Sequence, residues 1–395
     1  MNTKVSIVKG SKNPQEKEIR QMVEQSIKLI GGIDDIISKG DKVLIKPNIA
    51  YEIKPGETEV SDPRIAKAIC DILIDMGAKP IIAESSAAGV DGEAAFKASG
   101  YYDLRDQGYE VINLKLPNTK KITLDNPKGK VLKKVKVWAL AKEVDAIINL
   151  PVIKTHDHLP ATLSLKNMKG LLIDTEKKNF HHKYGLSQAI ADLNLVLKPN
   201  LTIMDGIFCR EGLGYPFSDE IEMDLIIAGK DPVAVDTVTL MIMEIDPLKQ
   251  EHAVLAEKHG IGTMDLNKIE VVGNKIADVK RKFKNPEEAL KLMLNINDFE
   301  ILSSDTTCTG CRGMMFYFLK SMSDQGKLDE LKNFTFVVGL HDKLPEGLDK
   351  DKTILVGACT KKFKDLGRYV EGCPPLGSDV ASKVFGDKVK QPYEE

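Results

Sequence analysis

Four cysteines near the carboxyl-terminal end of the chain have the residue type and spacing of a metal site. They are Cys308, Cys311, Cys359 and Cys373, out of six cysteines in the whole chain. The first two form a Cys-x-x-Cys pair, which lets one turn of backbone present two thiolates to the same metal unit. The other two stand singly, beside glycines and prolines. Because thiolate is a soft ligand for iron–sulfur clusters and Zn²⁺, these four residues are predicted to be metal ligands.

The residues around these cysteines favour a [4Fe–4S] cluster over zinc. Gly310 and Gly313 permit a tight backbone whose N–H groups can reach cluster sulfides, and a Cys-Pro step such as the one at Cys373 is familiar from iron–sulfur ligation. A structural zinc site commonly uses two cysteine pairs, and this chain has one. Zinc, a thiol redox pair and coincidental buried cysteines stay open as alternatives.

The two remaining cysteines do not belong to this pattern. Cys70 is flanked by apolar residues of a predicted helix, so it is expected in the hydrophobic core. Cys209 follows Asp205 and Gly206 and is expected in a loop. A loop position would make Cys209 a thiol near the predicted active crevice.

The bulk composition is that of a soluble globular protein. The 395 residues are 42% hydrophobic and 29% charged, and a net charge of -2 argues against bulk binding of nucleic acid. The amino-terminal residues lack the apolar run of a secretory signal, and no stretch approaches the roughly 20 apolar residues of a membrane span. We therefore expect a cytoplasmic protein without a nucleic-acid or membrane partner. In that compartment clustered cysteines serve metal or redox chemistry rather than disulfides.

Strand and helix patterns alternate along most of the chain. Apolar stretches such as 41–47 are typical of buried strands, and Asp62 and Asp231, each followed by proline, predict helix starts with an N-cap. This alternation predicts an α/β fold with a mostly parallel sheet and flanking helices over residues 1–284. A charged, proline-flanked segment marks the boundary to a small α/β iron–sulfur domain over residues 285–395.

Polar residues follow several of the predicted strands. Because the carboxyl ends of parallel strands meet at one edge of a sheet, side chains there converge on a crevice. Lysines in such a crevice bind carboxylate or phosphate, and histidines exchange protons near neutral pH. The predicted substrate-binding residues are Lys46, Asn48, Lys166, Lys169 and Asp205, and the predicted catalytic residues are Lys154, His156 and His158. A helix predicted over 160–172 places Lys166 and Lys169 on one face, although a solvated lysine face beside a surface histidine pair is the alternative.

Several common catalytic motifs are absent from the sequence. No Gly-x-Gly-x-x-Gly follows the early strands, so a Rossmann-type dinucleotide site is not supported. There is also no P-loop lysine motif, no Gly-x-Ser-x-Gly and no His-Glu-x-x-His.

A set of ordered motifs extends along roughly the first 272 residues: VLIKPN (43–48), LPVIKTH (150–156), LSLKNMKGLL (163–172), MDGI (204–207) and AGKDPVAVD (228–236), together with the helix predicted to begin at Asp62. This combination resembles the DUF362 family, a domain of unknown function. The resemblance implies an α/β fold and an association with iron–sulfur segments, and it implies no particular reaction. Many members carry a ferredoxin-like pair of cysteine runs, whereas this chain has one Cys-x-x-Cys pair and two single cysteines.

The leading hypothesis is an iron–sulfur oxidoreductase or electron-transfer protein that acts on a small anionic substrate. Its partners would be the anionic molecule, a redox partner protein and a second copy of the chain. One alternative is a non-redox lyase or isomerase that uses a cluster iron or another metal as a Lewis acid. The other alternative is a binding protein that zinc stabilises and that carries out no reaction.

Overall fold

The protein divides into two compact units. The structure, a computed structural model, describes residues 2–53, 59–156, 159–212, 218–284, 299–303, 307 and 309–386. The units are Met1–Phe283 and Lys284–Glu395, here called unit 1 and unit 2. Each unit combines a β-sheet with helices, which confirms the α/β class.

Unit 1 is built on one large sheet. In chain order, the described strands of this unit are β1 (Thr3–Lys9), β2 (Lys42–Pro47), β3 (Lys79–Glu84), β4 (Val111–Asn113), β5 (Lys121–Asp125), β6 (Lys134–Trp138), β7 (Ala146–Leu150), β8 (Val152–Thr155), β9 (Ala161–Thr162), β10 (Leu201–Gly212), β11 (Ser218–Gly229) and β12 (Ile269–Gly273). The large sheet has the order β12-β1-β11-β10-β7-β2-β3-β4, and β8 pairs with β10 and β9. Strands β5 and β6 form a separate antiparallel pair.

The large sheet is mixed. Strands β4, β3, β2, β7 and the start of β10 run parallel, as the sequence predicted. Strands β10 and β11, however, are long strands that pair antiparallel, and β11 also pairs antiparallel with β1. The sequence pointed only to the apolar half of β11. Its first half includes the charged residues Asp219, Glu220 and Glu222 at exposed positions, so this half lacks the continuous apolar pattern of a buried strand.

Helices flank the sheet of unit 1. They are α1 (Glu16–Leu29), α2 (Pro63–Asp75), α3 (Gly92–Ala98), α4 (Tyr101–Asp106), α5 (Leu140–Glu143), α6 (Ser164–Asn167), α7 (Asp174–His182), α8 (Leu186–Asn194), α9 (Pro232–Ile242), α10 (Glu251–Lys258) and α11 (Ile276–Val279). Short 3-10 helices lie at Met168–Leu171, Pro247–Lys249 and Leu266–Lys268.

The prediction of one helix over 160–172 is wrong. Strand β9, the short helix α6 and a 3-10 helix occupy that segment. The reason is tertiary: the carboxylate of Asp236 on α9 accepts hydrogen bonds from the Ser164 amide at 2.7 Å and the Leu165 amide at 3.1 Å. These bonds start a new helix at Ser164, inside the segment that was predicted to be one helix.

Helices α2 and α9 begin where the sequence predicted. The Asp62 carboxylate accepts a hydrogen bond from the Arg64 amide at 2.8 Å. The Asp231 carboxylate accepts from the amides two and three residues further along the chain, at 2.9 and 3.0 Å. Each cap satisfies backbone donors that the first helical turn leaves without a partner, which is typically worth about 1 kcal/mol.

Apolar side chains cover both faces of the large sheet. On one face Val43 and Ile45 of β2 pack with apolar residues of α1 and α2. On the other face Leu44 and Ile147 pack with apolar residues of α8 and α10. Because successive residues of a strand point to opposite faces, Lys46 lies on the same face as Leu44, one step nearer the carboxyl end of β2.

Unit 2 contains a smaller sheet whose described strands all run parallel. The strands are β13 (Glu300–Ser303), β14 (Thr335–Val338), β15 (Thr353–Val356) and β16 (Arg368–Val370), and they pair in this order. The helices are α12 (Thr309–Asp324) and α13 (Gly377–Phe385), and 3-10 helices lie at Leu328–Leu331 and Ala358–Phe363. Phe318 of α12, Phe336 of β14 and Val380 of α13 belong to one apolar core. Since the strands are parallel, their carboxyl ends lie at one edge of the sheet.

Candidate functional site

Three buried polar residues lie side by side on neighbouring strands of unit 1. The strand register pairs Lys46 of β2 with Asn149 of β7, and Asn149 with Thr202 of β10. Helix α6 covers this row with polar side chains. Ser164 Oγ lies 2.7 Å from Thr202 Oγ1, and Asn167 Nδ2 donates to Asn149 Oδ1 at 2.8 Å. Buried polar groups are tolerated where they bond to one another in this way.

Lys46 forms a buried ion pair with Glu84 at the end of β3. The two side chains are 1% and 3% exposed. Lys46 Nζ also donates to the Pro47 carbonyl at 2.9 Å and to Asn167 Oδ1 at 3.0 Å. Burial lowers the pKa of Lys46, and the Glu84 carboxylate opposes that shift. Gly170 packs directly against the pair, since a Cβ at that position would collide with the Glu84 carboxylate.

A second buried ion pair joins Lys154 of β8 to Glu59. Lys154 Nζ donates to Glu59 Oε2 at 2.7 Å and to the Glu59 carbonyl at 3.1 Å. Asn48 links the two pairs, since it accepts from Lys154 Nζ at 2.8 Å and donates to Asn167 Oδ1 at 3.0 Å. Glu59 has a φ of 128°, a region that is costly for a residue with a side chain, so its contacts must hold it there. We call the following residues the polar network: Lys46, Asn48, Glu59, Glu84, Asn149, Lys154 and Asn167.

The polar network compensates the charges of two lysines that the sequence assigned to the site. Lys46 and Lys154 each already hold a glutamate carboxylate, so their positive charges are balanced inside unit 1. An external anion would reach these two ammonium groups only by sharing or displacing Glu84 or Glu59. The network therefore fixes the ends of the strands.

Lys166 and Lys169 lie at the partly exposed edge of this region, on two different short helices. Lys166 Nζ donates to Thr162 Oγ1 at 2.9 Å. Lys169 Nζ stands 5.5 Å from the centre of the Phe180 ring, within range of a cation–π contact. Both residues are thus partly exposed, and both ammonium groups have contacts within unit 1.

The two predicted catalytic histidines follow β8. His156 is partly exposed, and its Nδ1 accepts a hydrogen bond from the Leu159 amide at 3.3 Å. The neutral ring therefore carries its proton on Nε2. His158 lies outside the described residues.

Asp205 of β10 lies at the N-terminus of α2. Its Oδ2 accepts from the Asp62 amide at 2.7 Å, and its Oδ1 accepts from the Ile207 amide at 3.0 Å. Burial, followed by the neighbouring Asp62 carboxylate, raises the pKa of Asp205 to about 7, although these hydrogen bonds and Arg64 oppose the shift. Asp205 thus anchors the chain at the start of α2, and its carboxyl group titrates near neutral pH.

Lys177 was missed by the sequence reasoning, although it is buried beside the end of β3. Its Nζ donates to Ser85 Oγ, to the Ser85 carbonyl and to the Ser86 carbonyl, each at 2.6 Å. Burial lowers the pKa of Lys177 to about 8, although nearby carboxylates oppose the shift. Lys177 belongs to a charged helix, and nothing in the sequence distinguishes it from its exposed neighbour Lys178.

In unit 2 the predicted metal-ligand segments follow the carboxyl ends of parallel strands. Helix α12, which carries Cys311, follows β13 along the chain. Cys359 lies three residues after the end of β15, and Cys373 lies three residues after the end of β16. Residues far apart in sequence therefore lie at the same edge of this sheet.

Short distances join these segments. Cys311 Sγ lies 3.2 Å from the position that a Cβ of Gly357 would take, and the φ of 84° at that residue also favours glycine. The Ala358 amide donates to the Gly372 carbonyl at 2.8 Å. The backbones that lead into the other two cysteines are therefore bonded to each other.

The three described cysteines of unit 2 differ in exposure. Cys311 is 4% exposed, Cys359 is half-buried and Cys373 is exposed. Cys308 lies outside the described residues, directly after Thr307, whose Oγ1 donates to the last carbonyl of β14 at 2.9 Å. Within the part of the chain that the structure describes, no three His, Cys, Asp or Glu side chains are grouped so that they could hold a metal ion.

The two cysteines of unit 1 are buried. Cys70 lies in the core beside α1 and β2, as predicted. Cys209 is also fully buried, so the predicted loop position is wrong, because β10 continues past Gly206 to Gly212. Burial raises the pKa of both thiols, which makes them poor nucleophiles.

Across the described residues, no helix has the length and apolar character needed to cross a membrane. The chain is similar to a thylakoid-associated protein of Synechocystis sp., with 27% identity over 237 residues, which are 59% of this chain and 72% of the relative.

Among solved structures, the chain is similar to the lactate racemase apoprotein from Thermoanaerobacterium thermosaccharolyticum, with 10% identity and a TM-score of 0.39. That match covers 81% of this chain and 66% of the racemase, so the chain spans slightly less than two thirds of that protein. A likeness this weak carries no argument about fold or activity.

The family described as "Domain of unknown function (DUF362)" matches residues 43–241. This span is about half of the chain, contains every residue of the polar network, and ends before unit 2. The motifs that suggested the family in the sequence therefore include the strand ends and the short helix that build the network. The chain belongs to the DUF362 family, as the sequence indicated.

Proposed function

We propose that this protein is an iron–sulfur oxidoreductase or electron-transfer protein that acts on a small anionic substrate. One observation carries the proposal: the segments with Cys311, Cys359 and Cys373 come together at the carboxyl edge of the unit 2 sheet. Thiolates on converging loops are the donor set of a [4Fe–4S] cluster. In the proposal, Cys308 supplies the fourth thiolate.

Two glycines near these cysteines support the proposal. Gly357 and Gly372 have φ values of 84° and 138°, and a Cβ at Gly372 would lie 2.5 Å from Pro375 Cα. Backbone without side chains beside Cys311 Sγ lets main-chain N–H groups approach cluster sulfides. A bound [4Fe–4S] cluster supplies one-electron transfer. The exposed Cys373 marks the side from which a redox partner protein would approach.

In unit 1 we assign the substrate anion to the partly exposed cations. Lys166 and Lys169 are partly exposed residues, whereas Lys46 and Lys154 are buried in ion pairs with glutamates. His156 carries a proton on Nε2, which is the atom that would hold or transfer a proton. The polar network includes Asn167 of α6 and Lys154 of β8, so it fixes the elements that carry Lys166 and lead to His156.

The cytoplasmic location predicted from the sequence stays a prediction. The Synechocystis relative is named for its association with thylakoids, and the name describes that protein. For this chain we keep the proposed partners: a small anion, a redox partner protein and a second copy of the chain.

Serine substitution with matched controls tests the cysteine assignments. The four single variants Cys308→Ser, Cys311→Ser, Cys359→Ser and Cys373→Ser are purified without oxygen as full-length protein, and iron and sulfide are measured. We expect each variant to lose visible cluster absorbance and most of its iron, because each lacks one thiolate ligand. The controls are Cys70→Ala and Cys209→Ala, which remove buried cysteines of unit 1 and should leave the iron content unchanged.

The same experiment separates the alternatives. If one of the four serine variants keeps its cluster, three cysteines hold it and one iron is open, which is the arrangement that a Lewis-acid lyase or isomerase needs. If the wild-type protein holds one zinc ion and no iron, the zinc-stabilised binding protein is supported and the redox proposal fails.

A further inference from the structure

His252 is a fully buried histidine that the sequence reasoning did not single out. It stands in the first turn of α10, and its neighbour Gln250 is also buried. The Gln250 side chain is held at both ends by one residue of β9: its Oε1 accepts from the Ala161 amide at 3.3 Å, and its Nε2 donates to the Ala161 carbonyl at 2.9 Å. A flipped amide would set donor against donor, so the orientation of Gln250 is determined.

This orientation determines which nitrogen of His252 carries the proton. Gln250 Nε2, a donor, lies 3.1 Å from His252 Nε2, which must therefore accept. A neutral imidazole that accepts at Nε2 carries its proton on Nδ1. Burial, with a smaller contribution from the charges of Lys166 and His156, lowers the pKa of His252 to about 3, so the ring is neutral at physiological pH.

The Nδ1–H group of His252 is a buried donor with no hydrogen-bond acceptor among the described residues. A buried donor without an acceptor costs free energy of folding. In native proteins such donors are therefore rare unless a water molecule or a ligand accepts the hydrogen bond. The charged groups that influence the ring are both cationic when protonated, namely Lys166 and His156. Both of these residues are partly exposed, whereas His252 is fully buried, so an anion bound by all three would bridge from the surface to a buried donor.

The clamp on Ala161 ties these groups into one local structure. Ala161 belongs to the segment that follows His156 and leads directly to Thr162, whose Oγ1 accepts from Lys166 Nζ at 2.9 Å. Movement of α10 would therefore move the ring, the clamped strand β9 and the support of Lys166 together. A cationic group and a neutral N–H donor on one rigid frame suit a ligand that offers negatively charged oxygen.

We propose that His252, Lys166 and His156 form an oxyanion subsite that binds one carboxylate or phosphate group of the substrate. His252 supplies a directional, uncharged donor from Nδ1, Lys166 supplies positive charge, and His156 supplies a second uncharged donor from Nε2. The proposal rests on the anion-binding part of the proposed function and is independent of the cluster in unit 2. It makes His252 a binding residue and Gln250 the residue that positions it.

The first experiment observes the ring directly. Full-length protein with ¹⁵N-labelled histidine is examined by NMR, and inorganic phosphate and acetate are titrated in separate samples. We expect the His252 resonances to show the Nδ1–H tautomer before titration, and to shift with saturation as phosphate or acetate binds. A response to phosphate alone would identify a phosphate group as the ligand, and a response to acetate alone would identify a carboxylate.

Variants measure the contribution of the donor. In His252→Asn the side-chain NH₂ can take the place of Nδ1–H, whereas His252→Leu removes the donor. We expect His252→Leu to weaken phosphate or acetate binding about tenfold, equivalent to about 1.4 kcal/mol, and His252→Asn to retain most of the affinity. The control is His259→Asn, because His259 bonds to Asp192 instead and should not affect anion binding.

Two results would overturn the subsite. One is an Nε2–H tautomer in the wild-type protein. The other is an Nδ1–H tautomer that responds to neither anion, since a buried water molecule would then satisfy the donor. Iron content separates this failure from failure of the redox proposal. A protein that binds phosphate but holds no cluster keeps the subsite and loses the redox function, and a protein with a cluster but no anion response does the reverse.

Discussion

Removal of Glu84 should destabilise unit 1 strongly, because it leaves the buried ammonium group of Lys46 without its carboxylate partner. In Glu84→Ala the Lys46 ammonium, 1% exposed, loses the only carboxylate paired with it among the described residues. Removing one partner of a buried ion pair typically costs about 3–5 kcal/mol. Lys46 keeps hydrogen bonds to the Pro47 carbonyl and Asn167 Oδ1, so we expect the low end, about 3 kcal/mol.

Urea unfolding followed by tryptophan fluorescence measures this loss in the intact chain. The chain has one tryptophan, Trp138, which is buried in unit 1 and donates to the Leu172 carbonyl, so its signal reports on this unit. The matched control is Glu143→Ala, which removes the partner of Lys120 in an exposed ion pair of 3.1 Å and should cost less than about 1 kcal/mol.

A double variant separates the net contribution of the ion pair from the cost of leaving one of its charges buried alone. In Lys46→Met/Glu84→Leu no charge is left buried, so stability should return to within about 1 kcal/mol of the wild type. Burial lowers the pKa of Lys46, so loss of its proton at higher pH should reduce the penalty in Glu84→Ala. A Glu84→Ala variant as stable as the wild type, or a double variant no better than the single one, would refute the reasoning.

Three further predictions concern buried groups of unit 1. The folded-state pKa of Lys177, about 8, lies below its ordinary value of 10.5, so folding releases a proton at pH values between these two. The stability of the wild type relative to Lys177→Met should therefore rise with pH across that range, by at most about 3 kcal/mol. Urea unfolding at several pH values measures this difference. Asp205 behaves oppositely, because its pKa is raised from 3.8 to about 7: wild-type stability relative to Asp205→Asn should fall between pH 4 and 7, on the order of 3 kcal/mol, and a flat difference would contradict the shift. Gly170→Ala sets a Cβ against the Glu84 carboxylate and Lys46 Nζ and should cost about 1–3 kcal/mol by the same assay, whereas an unchanged midpoint would show that the pair yields without cost.

Local signals in the sequence predicted the features that depend on nearby residues. The N-caps at Asp62 and Asp231 are visible because a carboxylate and a following proline act within one turn. The apolar stretch of β2 is visible because a central parallel strand is buried on both faces. The position of Lys46 at a strand end follows from these patterns, and its place beside the next parallel strand, β7, follows from parallel pairing.

Contacts between distant residues were beyond the sequence reasoning. Glu59 and Lys154 are 95 residues apart, and only the folded chain shows that they pair. The segment 160–172 has helical periodicity, but hydrogen bonds from two of its amides to the Asp236 carboxylate start a helix in its middle. Burial of Lys177 and His252 likewise depends on tertiary packing, so neither residue could be told from a surface residue in the printed sequence.

The most direct test of the central proposal is the iron and sulfide content of wild-type protein purified without oxygen. We expect about four irons and about four sulfides per chain, with the brown colour of a [4Fe–4S] cluster. A colourless protein that holds no iron after anaerobic purification and reconstitution with iron and sulfide would contradict the assignment of Cys308, Cys311, Cys359 and Cys373 as cluster ligands.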